Sequence, residues 1–139
     1  AAYVLCPGPH SAPENLSRLR SLVGLLGARP VTMTPEEHDR AIARVSHLPQ
    51  LLSTVLANFT DVKDAEIAGS GLRDMLRLAG SSYSVWKGIF DTNPDTIESA
   101  LEDVVRHLHT IRNAIRESTL SANFENAQAC YRKIKPPNR

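Results

Sequence analysis

The 139-residue chain has only two cysteines, Cys6 and Cys130, and neither stands in a Cys-x-x-Cys pair. A disulfide framework and a zinc ribbon are therefore excluded, and both cysteines read as reduced thiols. Long apolar runs are lacking as well. None approaches the roughly 20 residues that a bilayer-spanning helix needs, and the amino terminus lacks the basic region, apolar stretch and cleavage site of a secretory signal. Charge of one sign is equally scarce: 16 basic residues against 15 acidic ones leave a formal charge of +1. No basic stripe of the kind that nucleic acid or an anionic membrane selects is present. A helix-turn-helix regulator would need a recognition helix rich in arginine, lysine and asparagine, and the sequence has none. Asn15-Leu16-Ser17 and Asn58-Phe59-Thr60 match the glycosylation triplet, but with no sign of secretion they read as chance. The sequence is expected to be cytoplasmic, with no nucleic-acid partner and no membrane.

What is present is an ordinary apolar fraction of 42%, enough for one core. Tyr3-Val4-Leu5 are strand formers that run into the turn Cys6-Pro7-Gly8-Pro9. Leu16, Leu19, Leu22, Val23 and Leu26 then recur at helical spacing, with Ser11 and Glu14 as a capping box and Gly27 as the stop. Val31-Thr32-Met33 reads as a second strand, so residues 1–33 outline a parallel β-α-β crossover unit. Two short parallel strands cannot cover both faces of their own sheet. This outline therefore belongs to a larger sheet, and the chain reads as a fragment.

Residues 34–139 read as helical. Thr34 as N-cap, Pro35 at the first helical position and Glu37 at the third make a strong start signal. The helix they open is expected to bury Ile42, Val45, Leu48, Leu52, Val55 and Phe59. Pro49 lies within it, removing a donor and crowding the Val45 carbonyl, so a bend is expected near Ser46-His47. Ala68-Gly69-Ser70-Gly71 breaks the pattern, and two short helices follow over residues 71–79 and 83–90. Asn93-Pro94 starts the longest helix, whose Ile97, Leu101, Val104, Leu108, Ile111 and Ile115 form a coiled-coil-like seam. A last helix over residues 120–134 ends at Pro136-Pro137. A seam so wide calls for cover by other helices or by a second copy of the chain, because leaving it in water costs about 25 cal/mol per Å².

Three stretches carry a resemblance: Met33-Thr34-Pro35-Glu36-Glu37-His38-Asp39, then Val45-Ser46-His47-Leu48-Pro49, then Gly71-Leu72-Arg73-Asp74-Met75-Leu76-Arg77 followed by Trp86. In order and spacing they resemble the prephenate/arogenate dehydrogenase family. The opening Ala2-Tyr3-Val4-Leu5-Cys6-Pro7 is similar to a late strand of that family's nucleotide-binding domain, with Cys6 where threonine is more usual. The resemblance implies a mainly α fold. Residues 34–139 would be a helical substrate-binding and dimerisation domain of the 6-phosphogluconate-dehydrogenase-like type, and residues 1–33 the tail end of a Rossmann domain. It also implies a homodimeric enzyme that oxidises the ring alcohol of prephenate or arogenate by hydride transfer to NAD or NADP. Carbon dioxide leaves in the same reaction, on the route to tyrosine.

The family's Gly-x-Gly-x-x-Gly fingerprint and catalytic histidine belong to its amino-terminal domain and are not in this sequence. Gly69-Ser70-Gly71 is no substitute, since it follows a helix and lacks the third glycine. No catalytic residue is assigned, and the fragment alone is expected to be inactive.

The resemblance implies a substrate-binding set of Arg77, His47, Asp74 and Trp86. A guanidinium at Arg77 suits a dicarboxylic substrate, because it meets a carboxylate with two parallel hydrogen bonds. The bland alternative is a surface arginine paired with Asp74 three residues back, and Asp74 in the functional reading orients Arg77 or gates the pocket. His47 matches a family histidine near the substrate, against the alternative of a packing residue. Trp86 would be an apolar wall beside the substrate ring or simply core. His38, nine residues before His47, is expected on the opposite side of a regular helix, and His107 and His109 also diverge, so no metal site is supported. Ser46 has no nucleophile elbow around it. A competing class is a non-catalytic helical dimerisation or sensing module whose cleft binds an aromatic acid such as tyrosine.

Overall fold

A computed structural model describes residues 1–134. The expected end of the last helix at Pro136-Pro137 lies outside the described residues. The chain divides by its internal packing into a unit of residues 1–100 and a unit from residue 101 onward.

The first unit opens with β1 (Ala2–Leu5), α1 (Pro13–Leu25) and β2 (Arg29–Thr32). The strands are parallel, with Ala2 opposite Arg29 and Leu5 opposite Thr32, which is the expected crossover. Leu5 and Val23 are its buried apolar residues. Gly27 ends α1 with φ +75°, a left-handed conformation that glycine adopts without steric cost. The start of α1 differs from expectation. Ala12 is the N-cap and makes no side-chain bond, because Pro13 supplies the fixed φ of the first helical residue. Ser11 is not a cap; its amide instead closes a turn onto the Gly8 carbonyl.

α2 (Pro35–Ile42) starts with the full capping box. The Thr34 hydroxyl accepts from the Glu37 amide at 3.1 Å, and the Glu37 carboxylate accepts from the Thr34 amide at 2.9 Å. A π-helical segment, Ala43–His47, then leads into α3 (Leu48–Phe59). The expected bend is thus an expanded turn. The Leu48 amide reaches the carbonyl of Ala43, five residues back, and this widening gives Pro49 room above Val45.

The wider turn also shifts the phase of everything after it. Val45, Val55 and Phe59, expected inside, are exposed, whereas Ala43, His47, Gln50 and Ser53 are buried. A short α4 (Val62–Ala65), capped by Asp61, precedes α5 (Ser70–Leu76), a 3-10 turn (Arg77–Gly80) and α6 (Tyr83–Thr92). α7 (Pro94–Arg116) begins in this unit, where Ile97 and Ala100 pack with Ala43 against Leu51 and Phe90.

The second unit holds the rest of α7 and α8 (Ser121–Ile134). Ser118 sits between them at φ +57°. Its amide bonds to Ile115 and the Thr119 amide to Ala114, a Schellman closure with serine in the left-handed position. Leu101, Val105, Leu108, Ile115 and Phe124 are exposed in the single chain. Among the described residues no helix is long and apolar enough to cross a membrane.

Candidate functional site

The π segment turns His47 inward. The residue is 6% exposed, and its ring meets Trp86 of α6 edge to face, with centroids 6.1 Å apart and planes at 87°. Trp86 in turn stacks on Phe90, one helical turn on, at 5.6 Å. Two sequence-derived candidates on different helices therefore share one aromatic wall. Burial holds the His47 imidazole below its ordinary pKa of 6.5; the neighbouring His38 adds to this effect and Asp39 opposes it.

A cleft adjoins each member of that wall. One, of about 290 Å³, is lined by Gln50, Leu51, Thr54, Tyr83, Trp86 and Phe90 among others. The other, of about 250 Å³, is lined by His38, Asp39, Ile42, His47, Thr92 and Asn93 among others. Asn93 fixes the second cleft by donating from its amide side chain to the Asp39 carbonyl at 3.0 Å. His38 bonds to the Asp39 carboxylate, also at 3.0 Å. His38 and His47 thus open on the same cleft, contrary to the opposite placement expected of a regular helix. The π turn is the cause, because it takes more residues per revolution and so rotates less over the nine positions between them. Among the described residues no three side chains come together as metal ligands.

Three buried polar atoms in this region have no hydrogen-bond partner: Nδ1 of His47, Oε1 of Gln50 and Nε1 of Trp86. Each costs roughly 1–3 kcal/mol if left so, and buried polar groups are otherwise nearly always satisfied. Gln50, 5% exposed, lines the first cleft and is a candidate that sequence reasoning missed. The available signal was its place three residues after His47, on the same face of the helix that follows the proline turn. Apolar walls with a few unpaired donors and acceptors suit a ring compound bearing polar substituents.

Arg77 and Asp74 are on the surface, and neither lines these two clefts. No ion pair joins them among the described residues. Arg77 is instead the first residue of the 3-10 turn after α5, a turn held from behind by Ser53.

The fold is mainly α with two clefts flanking the His47–Trp86 wall, and it is preceded by a parallel β-α-β unit. Residues 34–127, well over half of the chain, match the family model described as prephenate dehydrogenase, dimerization domain. The chain belongs to this family. It is 28% identical over 141 aligned positions to the prephenate dehydrogenase of Bacillus subtilis, covering 97% of this chain and 36% of that protein. Among solved structures it is similar to Synechocystis arogenate dehydrogenase at 28% identity and a TM-score of 0.86, covering 96% of this chain and 52% of that one. It also shares the fold of Aquifex aeolicus prephenate dehydrogenase, solved with hydroxyphenyl propionate and NAD+, at 24% identity and a TM-score of 0.86. That match covers 96% of this chain and 50% of the other. The chain thus spans between about a third and a half of the proteins it matches.

Proposed function

We propose that this chain is the substrate-binding and subunit-pairing part of a dehydrogenase that oxidises and decarboxylates prephenate or arogenate with NAD or NADP. In this reading residues 1–33 are the end of a nucleotide-binding domain and residues from 34 onward form the helical domain. The observation that carries the reading is the aromatic wall of His47 and Trp86, flanked by clefts and by three unpaired buried polar atoms. Such a wall accepts a six-membered ring, and its unpaired atoms are free to bond the ring's polar substituents.

The residues present do not by themselves make a dinucleotide site. The turn after β1 carries one glycine, Gly8, between two prolines, and so offers no run of amides to cradle phosphates. The cofactor is assigned to sequence outside this chain.

Arg77 supplies the carboxylate clasp. Its exposure means that this grip forms where the surface is completed by the nucleotide-binding domain or by a second subunit. Asp74, one turn earlier, is the group placed to orient it. Exposed Leu101, Val105, Leu108 and Ile115 support pairing of two copies into a homodimer. Tyrosine, which shares a ring and a carboxylate with the substrate, is the candidate feedback ligand for the same cleft. The cytoplasm is the compartment in which such a biosynthetic step is placed.

The test is made on the intact enzyme, following reduced cofactor with prephenate and with arogenate as alternative substrates. Arg77→Ala is expected to lower kcat/KM by about 1.5 to 3 kcal/mol, the range for loss of a charge-assisted hydrogen bond. Unchanged kinetics in that variant would return Arg77 to the ordinary surface, and turnover of neither substrate would remove the assignment.

A further inference from the structure

We infer that Ser53 is a positioning residue for Arg77, its hydroxyl inserted into the helix hydrogen bond that would otherwise join the Ala79 amide to the Met75 carbonyl. The inference rests on the carboxylate-binding role proposed for Arg77. Ser53 lies on α3 and is 2% exposed, the most deeply buried polar residue of the chain's described part. Its Oγ donates to the Met75 carbonyl at 2.7 Å and accepts from the Ala79 amide at 3.0 Å.

Residues 75 and 79 are the two ends of one α-helical bond, since each amide in such a helix reaches four residues back. The hydroxyl of Ser53 takes both ends. Inserted side chains of this kind break or tighten the ladder they enter, and the chain here responds as expected. α5 stops at Leu76, the next turn is 3-10, and the Arg77 amide bonds to Asp74, only three residues back. Arg77 is the midpoint of the bridged interval and the first residue of the tightened turn.

Removing the hydroxyl would let Ala79 bond directly to Met75, and the turn would relax toward α-helical geometry. The rise per residue then falls from about 2.0 to about 1.5 Å, and the direction of each side chain changes with it. At the end of a long arginine side chain that change displaces the guanidinium. A displacement of about 1 Å at a binding group is worth as much as about 100-fold in rate.

The experiment compares Ser53→Ala, Arg77→Ala and the double variant in the intact dehydrogenase, by steady-state kinetics with prephenate or arogenate varied. Ser53→Ala is expected to raise KM about 5- to 50-fold with kcat within about twofold of the parent. In the Arg77→Ala background the same change is expected to leave KM where Arg77→Ala put it. A merely structural serine would lower the folded fraction, and so the apparent kcat, with KM unmoved. Parental KM in Ser53→Ala overturns the inference, and so does an equal rise in both backgrounds, because the effect would then not run through Arg77. If Arg77→Ala itself leaves KM unchanged, the clasp and the inference built on it both fall, an outcome distinct from failure of Ser53 alone. Should Ser53→Ala not fold, Ser53→Cys carries the comparison, since a thiol keeps the shape but bridges poorly; a raised KM supports the inference and a parental KM overturns it.

Discussion

Acid is expected to destabilise this fold through His47 before it reaches most of the carboxylates. The imidazole is buried against Trp86 with its Nδ1 unpaired, and burial, helped by His38 and opposed by Asp39, holds its pKa below the ordinary 6.5. The sign follows from linkage. The unfolded chain takes up the proton at the ordinary value, while the folded chain does so only at lower pH. Stability is therefore full above 6.5, declines as pH falls below it, and levels off once the folded imidazole is itself protonated. In the window between the two values the loss stays below about 1.4 kcal/mol per pH unit, the limit set by a single proton. Urea midpoints measured between about pH 8 and about pH 5, for the parent and for His47→Asn, isolate that slope from the other titrating groups. Trp86 is the chain's only tryptophan, so its emission offers a second readout, because a protonated imidazole quenches a neighbouring indole. The quenching midpoint is expected below 6.5. Identical acid slopes in parent and variant, or a midpoint at or above that value, would refute the account of His47 as a buried neutral group.

Thr34→Ala removes the hydroxyl that caps the Glu37 amide at the head of α2 and leaves the residue-34 amide still able to donate to the Glu37 carboxylate; it should cost about 1 kcal/mol in urea unfolding, where a loss near zero would show the cap to be idle. Ser118→Gly relieves a left-handed serine and is expected to raise stability by a few tenths to about 1 kcal/mol, partly offset by glycine's greater freedom when unfolded. By sedimentation at low micromolar concentration the protein is expected to be a dimer, and Leu108→Glu, placed on the exposed face of α7, should shift it to monomer. A parent that sediments as a monomer would remove the pairing role from that helix.

Much of this architecture was legible because a few residues each have one strong use. Pro35 after Thr34, Pro94 after Asn93 and Gly27 after an apolar periodic run mark helix ends, since the missing donor or the left-handed φ fits few other places. The parallel pairing of β1 and β2 followed from a helix between two short strands. The interior of the helix after Thr34 was not legible. Pro49 announced crowding at Val45 but not the means of relief, and a π turn changes the phase of every later side chain. The apolar list built on a regular period therefore placed Val55 and Phe59 inside. The site was half legible for a related reason. His47 and Trp86 were found by motif and do meet, but Gln50 and Ser53 fell outside any template that looks for apolar residues on a buried face.

Those polar residues bear on how the domain is built. An α3 face carrying His47, Gln50 and Ser53 buries three groups that each need partners, where leucine or valine would contribute transfer energy with no such demand. Only Ser53 is fully used, with both its donor and its acceptor engaged, while His47 and Gln50 retain unpaired atoms beside clefts. The buried cluster of Ala43, Ile97 and Ala100 has alanine at two of its three positions and does not offset that cost generously. Local rules that normally serve stability are thus broken twice within one stretch, by the π turn that faces His47 inward and by the serine that unseats the turn bearing Arg77. Natural sequences tolerate such breaks mainly where geometry serves a ligand. Both departures act on side chains of the proposed binding set, which ties the irregular backbone to the site more directly than burial alone would.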